Sequence, residues 1–240
     1  MLELKEWELE LQGIKKQLIM VQISDLAKTL FKDYCAGVIT ASVTNSAFNG
    51  SLWQEFDDLT EKIRNTYSVA DIKLLPTIHA TRNAYKTAGK DPNRYRPSAE
   101  ALMRRVINGN DLYKISTLVD LINLVSLKTG YSIGGFDNDK IVGTPTLGVG
   151  EEEEKFEGIG RGLLNIAGLP VYRDEMGGIG TPTSDEVRTS ITLDTQNIFI
   201  IINAYSGIEG LQETIDYTVE LLKKYADATN VESAIYSVNS

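Results

Sequence analysis

The feature that most constrains this chain is the segment of residues 116–129 near its middle, in which seven leucine, isoleucine and valine residues alternate closely with polar ones. Its apolar residues cover most sides of the predicted helix, and Gly130 follows as a stop signal. Such a helix must be buried on most sides, so the other elements have to pack around it. Asp120, Asn123 and Ser126 carry polar groups into that apolar surrounding. The segment therefore predicts a pocket beside a buried helix.

Periodicity predicts further elements on both sides of this helix. Helices are expected at 24–30, 52–67, 77–87, 98–107 and 211–222, with Ser24 and Ser98 as N-caps. Strands are expected at 16–23, 36–43, 141–149, 168–173, 190–193 and 198–202. Gly177-Gly178-Ile179-Gly180 is predicted to be a turn, because no helix follows the glycines as a dinucleotide-binding loop requires. Without internal repeats or low-complexity linkers, the sequence predicts one α+β domain, residues 1–240.

Composition excludes several classes of protein. The chain of 240 residues can bury a full core, and its longest apolar run, 197–202, is far shorter than a membrane span. The acidic start lacks the features of a signal peptide, and a single cysteine, Cys35, rules out an internal disulfide. The lone His79 argues against a zinc site of the usual kind. We therefore expect a cytoplasmic protein with no membrane contact, metal or cofactor, and the sequence leaves its oligomeric state open.

Charge is distributed unevenly along the chain. The formal net charge is −9, which opposes general coating of nucleic acid, and no DNA partner is expected. Between Arg82 and Arg105, however, seven basic residues meet two acidic ones, a local balance of +5 that leaves −14 for the remainder. The basic residues are Arg82, Lys86, Lys90, Arg94, Arg96, Arg104 and Arg105. They indicate either a local contact with an anion or a solvated helix face paired with acids elsewhere.

General signatures of catalysis are weak. The sequence has no Gly-x-x-x-x-Gly-Lys-Ser/Thr phosphate loop and no Gly-x-Ser-x-Gly nucleophile turn. His79 has no serine or cysteine partner nearby in sequence, so a structural or surface position is favoured over a general base. Cys35 is expected to be a packed small side chain. Catalytic residues are not assigned from the sequence.

Several linked motifs resemble one known family. They are Val119-Asp120-Leu-Ile-Asn123, Gly130, Gly135-Phe136-Asp137-x-Asp139-Lys140, the upstream Arg82-x-x-Tyr85 with Asp91-Pro92-x-x-Tyr95-Arg96-Pro97-Ser98-x-Glu100-x-Leu102, and Arg188-Thr189-x-Ile191-Thr192-x-x-Thr195. In this order they resemble the B3/B4 editing domain of the phenylalanyl-tRNA synthetase β subunit, where the pattern is close to V-D-V-T-N-Y and L-H-A-F-D-x-D-K. The upstream motifs are similar to free-standing, single-domain members. The resemblance covers about residues 35–206.

What the resemblance implies is a tRNA-associated module. In the synthetase the domain hydrolyses tyrosine wrongly attached to phenylalanine tRNA. Its fold is compact and α+β, with mixed sheets in a sandwich-like core, flanking helices and an amino-acid pocket beside the V-D-x-x-N helix. Asn123 matches the motif, and its amide can orient an ester carbonyl or an amino group. Alternatively Asn123 and Asp120, spaced i and i+3, satisfy each other or a neighbouring backbone.

Two positions depart from the family pattern. Gly134 replaces the histidine of L-H-A-F-D, and the run 194–197 leads into Ile200-Ile201-Ile202 without the glutamate that the synthetase has there. Both missing groups position or activate water in the synthetase pocket. Polar residues aligned near the expected pocket are candidate replacements: Thr181, Thr183, Ser184, Asp185 and Glu186.

Three hypotheses follow. The first is a trans-editing factor that hydrolyses a mischarged aminoacyl-tRNA. The second is a tRNA or aminoacyl-tRNA binding module that has lost the reaction, and the third is a small-molecule amino-acid binder. The expected substrate-binding residues are Asn123, Asp120, Gly134, Gly135, Thr183, Ser184 and Asp185. The expected phosphate contacts of tRNA are Arg82, Lys86, Arg94 and Arg96.

Overall fold

Residues 20–238 are described by a computed structural model, and they form six α-helices and ten strands. The helices are α1 (Asp25–Leu30), α2 (Gly50–Thr66), α3 (Pro76–Thr87), α4 (Ser98–Ile107), α5 (Thr117–Thr129) and α6 (Leu211–Tyr225). The strands are β1 (Gln22–Ile23), β2 (Cys35–Ser42), β3 (Ser132–Asp137), β4 (Thr146–Val149), β5 (Glu157–Gly158), β6 (Gly162–Leu163), β7 (Pro170–Asp174), β8 (Gly177–Gly180), β9 (Asn197–Ala204) and β10 (Thr229–Ser237).

A four-stranded antiparallel sheet, ordered β10-β2-β9-β3, forms the middle layer. Strand β9 is apolar on both of its faces, and successive side chains of a strand point to opposite sides. Ile198, Ile200 and Ile202 face one hydrophobic cluster, whereas Phe199 and Ile201 face another. A strand that is apolar on both faces has to be covered on both faces, so the sheet lies between two other layers.

Helices cover one face of this sheet. Helix α5 packs against α2, α4, α6 and β3, in agreement with its apolar sequence. It ends as predicted at Gly130, which adopts the left-handed conformation with φ of 76°. A Cβ atom at this position would also collide with the Thr77 hydroxyl. The chain therefore turns directly from α5 into β3, and both elements contribute to the site described below.

A second, smaller sheet covers the other face. Its order is β1-β4-β7-β8, with β1 parallel to β4 and the remaining pairs antiparallel. Leu147, Tyr172 and Ile179 of this sheet share a cluster with Phe199 and Ile201 of the central sheet. The prediction of an α+β fold with mixed sheets in a sandwich-like core and flanking helices is confirmed.

Several predicted elements need correction. Residues 190–193 form no strand, Gly177–Gly180 is strand β8 rather than a turn, and β3 was not among the predicted strands. Ser24 caps α1 by accepting from the backbone N–H of Ala27 at 3.2 Å, but α4 is capped by Pro97 without a side-chain bond. The strand predicted at 16–23 lies partly outside the described residues. No helix within residues 20–238 is long and apolar enough to cross a membrane.

Candidate functional site

A cavity of about 390 Å³ lies between α5, β3 and the loop that follows β8. Four aliphatic side chains form much of its wall: Val119, Ile122, Ile133 and Ile191. Three more line it and are also strongly exposed, which places them at its mouth: Ile115, Ile159 and Val187. A cavity of this size with mostly apolar walls is typical of a small-molecule site, and its few polar groups would set specificity.

Asn123 lies in the cavity wall on α5, one helical turn from Ser126. The Ser126 hydroxyl is already engaged, because it donates to the backbone carbonyl of Tyr131 at 2.7 Å. The Asn123 side chain, in contrast, has no hydrogen-bond partner among residues 20–238. An amide that is half-buried and unpartnered retains its donors and its acceptor for a ligand.

Asp185 is the ionisable group of the cavity. Its Oδ2 accepts one hydrogen bond, from the backbone N–H of Gly135 at 3.1 Å. Burial raises the pKa of the Asp185 carboxyl to about 7, and the Gly135 N–H offsets part of that rise. No lysine or arginine within residues 20–238 forms a salt bridge with it. At neutral pH this carboxyl therefore exchanges readily between its ionised and its protonated forms.

The space for Asp185 exists because two neighbouring residues are glycines. A Cβ atom at Gly134 would lie 3.3 Å from Asp185 Oδ1, and one at Gly180 would lie 2.8 Å from the same atom. A Cβ at Gly135 would collide with Ile122 in the cavity wall. Gly135 lines the cavity and Gly134 lines the opposite side of β3, whereas Asp185 is among the lining residues on both sides. The two adjacent glycines thus serve opposite faces of β3.

A tight turn holds Ser184 and Asp185 in place. The Thr181 hydroxyl donates to the carbonyl of Ser184 at 3.0 Å and accepts from the backbone N–H groups of Thr183 and Ser184. Ser184 lines the cavity, as do Thr181 and Asp185. Thr183 does not, because its hydroxyl is buried against Tyr85, with 2.8 Å between the two oxygen atoms. Of the three residues of this segment that were expected to bind substrate, Ser184 and Asp185 line the cavity and Thr183 is packed into the interior.

Asp120 also lies outside the cavity. Its carboxylate accepts from the Trp53 indole N–H at 2.8 Å and from the backbone N–H of Ile115 at 3.0 Å. Burial raises the pKa of the Asp120 carboxyl, and these two hydrogen bonds oppose the rise. Asp120 and Asn123 do not satisfy each other, but Asp120 accepts from a neighbouring backbone N–H, so the alternative to a substrate-binding role describes Asp120. Asp120 instead anchors the chain segment that enters α5.

The basic residues of the 82–105 region fall into two groups. Glu100 is fully buried and binds three guanidinium groups: Arg82 at 2.7 Å, Arg104 at 2.8 Å and Arg96 at 3.5 Å. Arg82 is itself buried and also donates to Asn93 at 2.7 Å. The placement of Arg82 on a docking surface is therefore corrected, because its charge is used inside the fold. Lys86 and Arg94 are exposed, and Arg96 is half-buried.

Other candidate groups lie away from the cavity. His79 is exposed on α3, and its Nδ1 lies 3.3 Å from the backbone carbonyl of Lys73. Cys35 is buried in β2. Within residues 20–238 no cluster of three or more His, Cys, Asp or Glu side chains is arranged to hold a metal ion.

Sequence reasoning missed most of the aliphatic wall. Ile133 belongs to a strand that was not predicted, and Ile159 lies in a segment for which no element was predicted. The sequence signal available for the mouth was an isoleucine flanked by two glycines, Gly158-Ile159-Gly160.

Comparison with known proteins identifies the family. The sequence model of the B3/4 domain matches residues 80–238. No curated protein matches the chain. Among solved structures, an N-terminal fragment of the phenylalanyl-tRNA synthetase β subunit from Pyrococcus horikoshii matches at 16% identity with a TM-score of 0.47. The match covers 91% of this chain and 54% of that one, so the chain spans about half of the fragment's length. The resemblance drawn from the motifs is confirmed, and the chain belongs to the B3/4 domain family.

Proposed function

We propose that this protein is a cytoplasmic deacylase that acts in trans on aminoacyl-tRNA, hydrolysing the ester between the amino acid and the RNA. The observation that carries the proposal is the pairing of Asp185 and Asn123 in one aliphatic cavity. One is a carboxyl group with a pKa of about 7, and the other is an unpartnered amide. A base poised near neutral pH and a hydrogen-bond donor in the same cavity can together support ester hydrolysis.

The chemistry needs only these groups and water. The Asp185 carboxylate takes a proton from a water molecule, and the oxygen of that water forms a bond to the ester carbonyl carbon. The Asn123 amide donates to the carbonyl oxygen as negative charge develops there. When the carbon–oxygen bond to the ribose breaks, the proton on Asp185 passes to the departing ribose oxygen. The products are the free amino acid and uncharged tRNA.

The aliphatic wall supports a binding role for the amino-acid side chain. Burial of apolar surface against residues such as Val119, Ile122 and Ile191 stabilises the complex, by roughly 25 cal/mol for each Å² removed from water. The exposed cations Lys86 and Arg94, with the half-buried Arg96, are the proposed phosphate contacts. Arg96 is two residues from Ser98, which lines the cavity, so phosphate contacts and cavity adjoin on this side.

A binding module without hydrolysis is the second candidate. Gly134 stands where the resembled pattern has a histidine, which removes one group that handles water. This candidate predicts the same cavity and the same affinity for charged tRNA, but no release of the amino acid.

Deacylation of a panel of mischarged tRNAs tests the proposal. We expect hydrolysis of at least one species, with kcat/KM lowered about 100- to 10,000-fold by Asp185→Asn. Asn123→Ala should lower it roughly 10- to 1,000-fold, because one oriented contact to the reacting carbonyl is lost. Thermal denaturation should show that both variants remain folded.

His79→Ala is the matched control, since His79 is exposed and outside the cavity. Its rate should equal that of the unmodified protein. A large loss for His79→Ala with no loss for Asp185→Asn would place the site elsewhere. Tight binding of charged tRNA without hydrolysis of any species would favour the binding module.

A further inference from the structure

Exposed aromatic residues lie on and against the chain segment that leads to Ile115 at the cavity mouth. Tyr113 is 67% exposed and lies two residues before Ile115, which lines the cavity and is 56% exposed. Phe48, 51% exposed, is linked to the same segment through Lys114. We call Phe48, Tyr113 and Lys114 the aromatic rim. Aromatic rings that are exposed near a cavity offer faces on which a planar ligand can stack.

Cations accompany these rings. The Arg105 guanidinium lies 4.2 Å from the centre of the Tyr113 ring. The Lys114 ammonium lies 5.0 Å from the Phe48 ring centre and 4.9 Å from that of Trp53. The two cations at the rim, Arg105 and Lys114, are matched in number by the carboxylates of Asp111 and Asp120, and both cations lie over ring faces. Rings interleaved with cations are the combination that single-stranded nucleic acid binds.

The aromatic rim is fixed to the helix that carries Asn123. Asp120 binds both the backbone of Ile115 and the indole of Trp53, and Trp53 in turn stacks on Phe56 at 4.5 Å between ring centres. Asp120 and Asn123 lie one helical turn apart on α5. A ligand that spans the rim and the cavity therefore meets two surfaces positioned by one rigid element.

We propose that the aromatic rim binds the single-stranded 3′ end of the RNA that carries the amino acid. The inference rests on the proposed function. If the amino acid enters the cavity, its ester lies at the mouth and the base attached to the same ribose lies just outside. There it stacks on Tyr113 or Phe48, while Arg105 and Lys114 contact the adjoining phosphates.

The opposite side of the mouth suits an RNA end less well. Its exposed residues at the cavity are the aliphatic Ile159 and Val187. Their charged neighbours are of mixed sign: Glu157 and Glu186 with Arg161 and Arg188. Aliphatic side chains give no ring face for a base to stack on. The exposed rings, each accompanied by a cation, lie on the side that precedes α5.

Two probes separate this inference from the proposed function. The first is an amino-acid amide without any nucleotide, which reports on the cavity alone. The second is a short single-stranded RNA that carries the same amino acid at its 3′ end through a non-hydrolysable amide bond. Dissociation constants are measured for both with the full chain. Tyr113→Ala and Phe48→Ala should each weaken binding of the RNA probe roughly 5- to 100-fold. Binding of the amino-acid amide should be weakened far less.

Matched substitutions away from the cavity control for general effects. Leu74 is 66% exposed, so Leu74→Ala controls for loss of an exposed apolar side chain. Lys128 lies 3.5 Å from the Tyr217 ring centre, so Lys128→Ala controls for Lys114→Ala. Lys114→Ala should reduce the slope of log affinity against log salt by about 0.7 for the RNA probe, and Lys128→Ala should leave it unchanged.

Three results would overturn the inference. The first is binding of both probes with the rim variants no weaker than the controls, which would leave the proposed function standing. The second is equal affinity and equal sensitivity for a blunt duplex RNA, which would remove the single-stranded end as the ligand. The third is no binding of either probe, which would remove the proposed function and this inference together.

Discussion

A fully buried carboxylate and a half-buried one show how differently the same charged group can be used in this protein. Glu100 lies among three arginines and is fully enclosed. Asp185 lies among three glycines, accepts one backbone hydrogen bond and has no cationic partner within the described residues. The two groups lie on neighbouring parts of the chain in space, because the backbone N–H of Ser98 on α4 donates to Pro182.

The surroundings of each carboxylate decide its role. Three guanidinium groups offset the cost of burying Glu100, and the cluster ties α3, α4 and the 91–96 turn together. Nothing comparable offsets the burial of Asp185, so its pKa rises to about 7 and the group can exchange a proton. A charge that is fully paired is structural, whereas one that is poorly paired in a cavity is available for chemistry.

The largest effect is expected at Glu100. Glu100→Gln removes the negative charge but keeps the shape, which leaves the buried Arg82 without a counterion. The free energy of unfolding should fall by about 3 to 5 kcal/mol, and the melting temperature by roughly 6 to 20 °C. Urea denaturation measures the first and calorimetry the second. Glu61→Gln, at an exposed position of α2, is the control. A loss below about 1 kcal/mol would mean that the arginines find other partners.

An effect of opposite sign is expected at Asp185. Its pKa is raised on folding, so the folded state binds more protons than the unfolded state between about pH 4 and pH 7. Stability contributed by this group is present at low pH and is lost as pH rises through 7. Asp185→Asn should therefore be more stable than the unmodified protein at pH 8, by about 2 kcal/mol or 4 to 8 °C. The difference should vanish near pH 4, and melting curves at both pH values check it. Equal melting temperatures at pH 8 would show that Asp185 is adequately paired.

The smallest expected effect is a change in the salt dependence of tRNA affinity, which should differ between the exposed Arg94 and the ion-paired Arg96. Arg94 is exposed and outside the Glu100 cluster, so Arg94→Ala should reduce the salt slope of tRNA affinity by about one unit. Arg96 shares Glu100 with two other arginines, so Arg96→Ala should reduce it by less. Filter binding across a series of salt concentrations measures both slopes. Equal slopes in the unmodified protein and in Arg94→Ala would move the docking surface away from this region.

The sequence predicted those elements whose type and boundaries follow from the pattern of their own residues. The buried helix α5, its stop at Gly130 and the doubly apolar strand β9 were found from their patterns alone. Strand β3 was not, because Gly134 and Gly135 have low strand propensity and only pairing with β9 holds them extended. Strand β10 was missed for a similar reason, since it is a half-buried edge strand specified by its pairing with β2.

The site was predicted in part, for the same physical reason. Asn123 and Asp185 were named from the family pattern, and the structure brings them to one cavity. Asp120 and Thr183 were named with them, but their side chains turn to Trp53 and Tyr85, which are distant in sequence. Arg82 was counted as a surface charge, because a count of charges along the sequence cannot show that Glu100 pairs with it in the interior. Spacing along a helix specifies a face, and only tertiary contacts specify what that face meets.

The absence of a side chain at position 134 has an evolutionary consequence. Any side chain there would extend from a Cβ atom 3.3 Å from Asp185 Oδ1 and 2.6 Å from the Phe136 ring. A larger residue at 134 and a carboxylate at 185 thus compete for one volume. Across the family we expect the two positions to covary, with a histidine at 134 accompanied by a small or absent side chain at 185. Such a pattern would place the polar side chain on β3 in some members and in the loop after β8 in others.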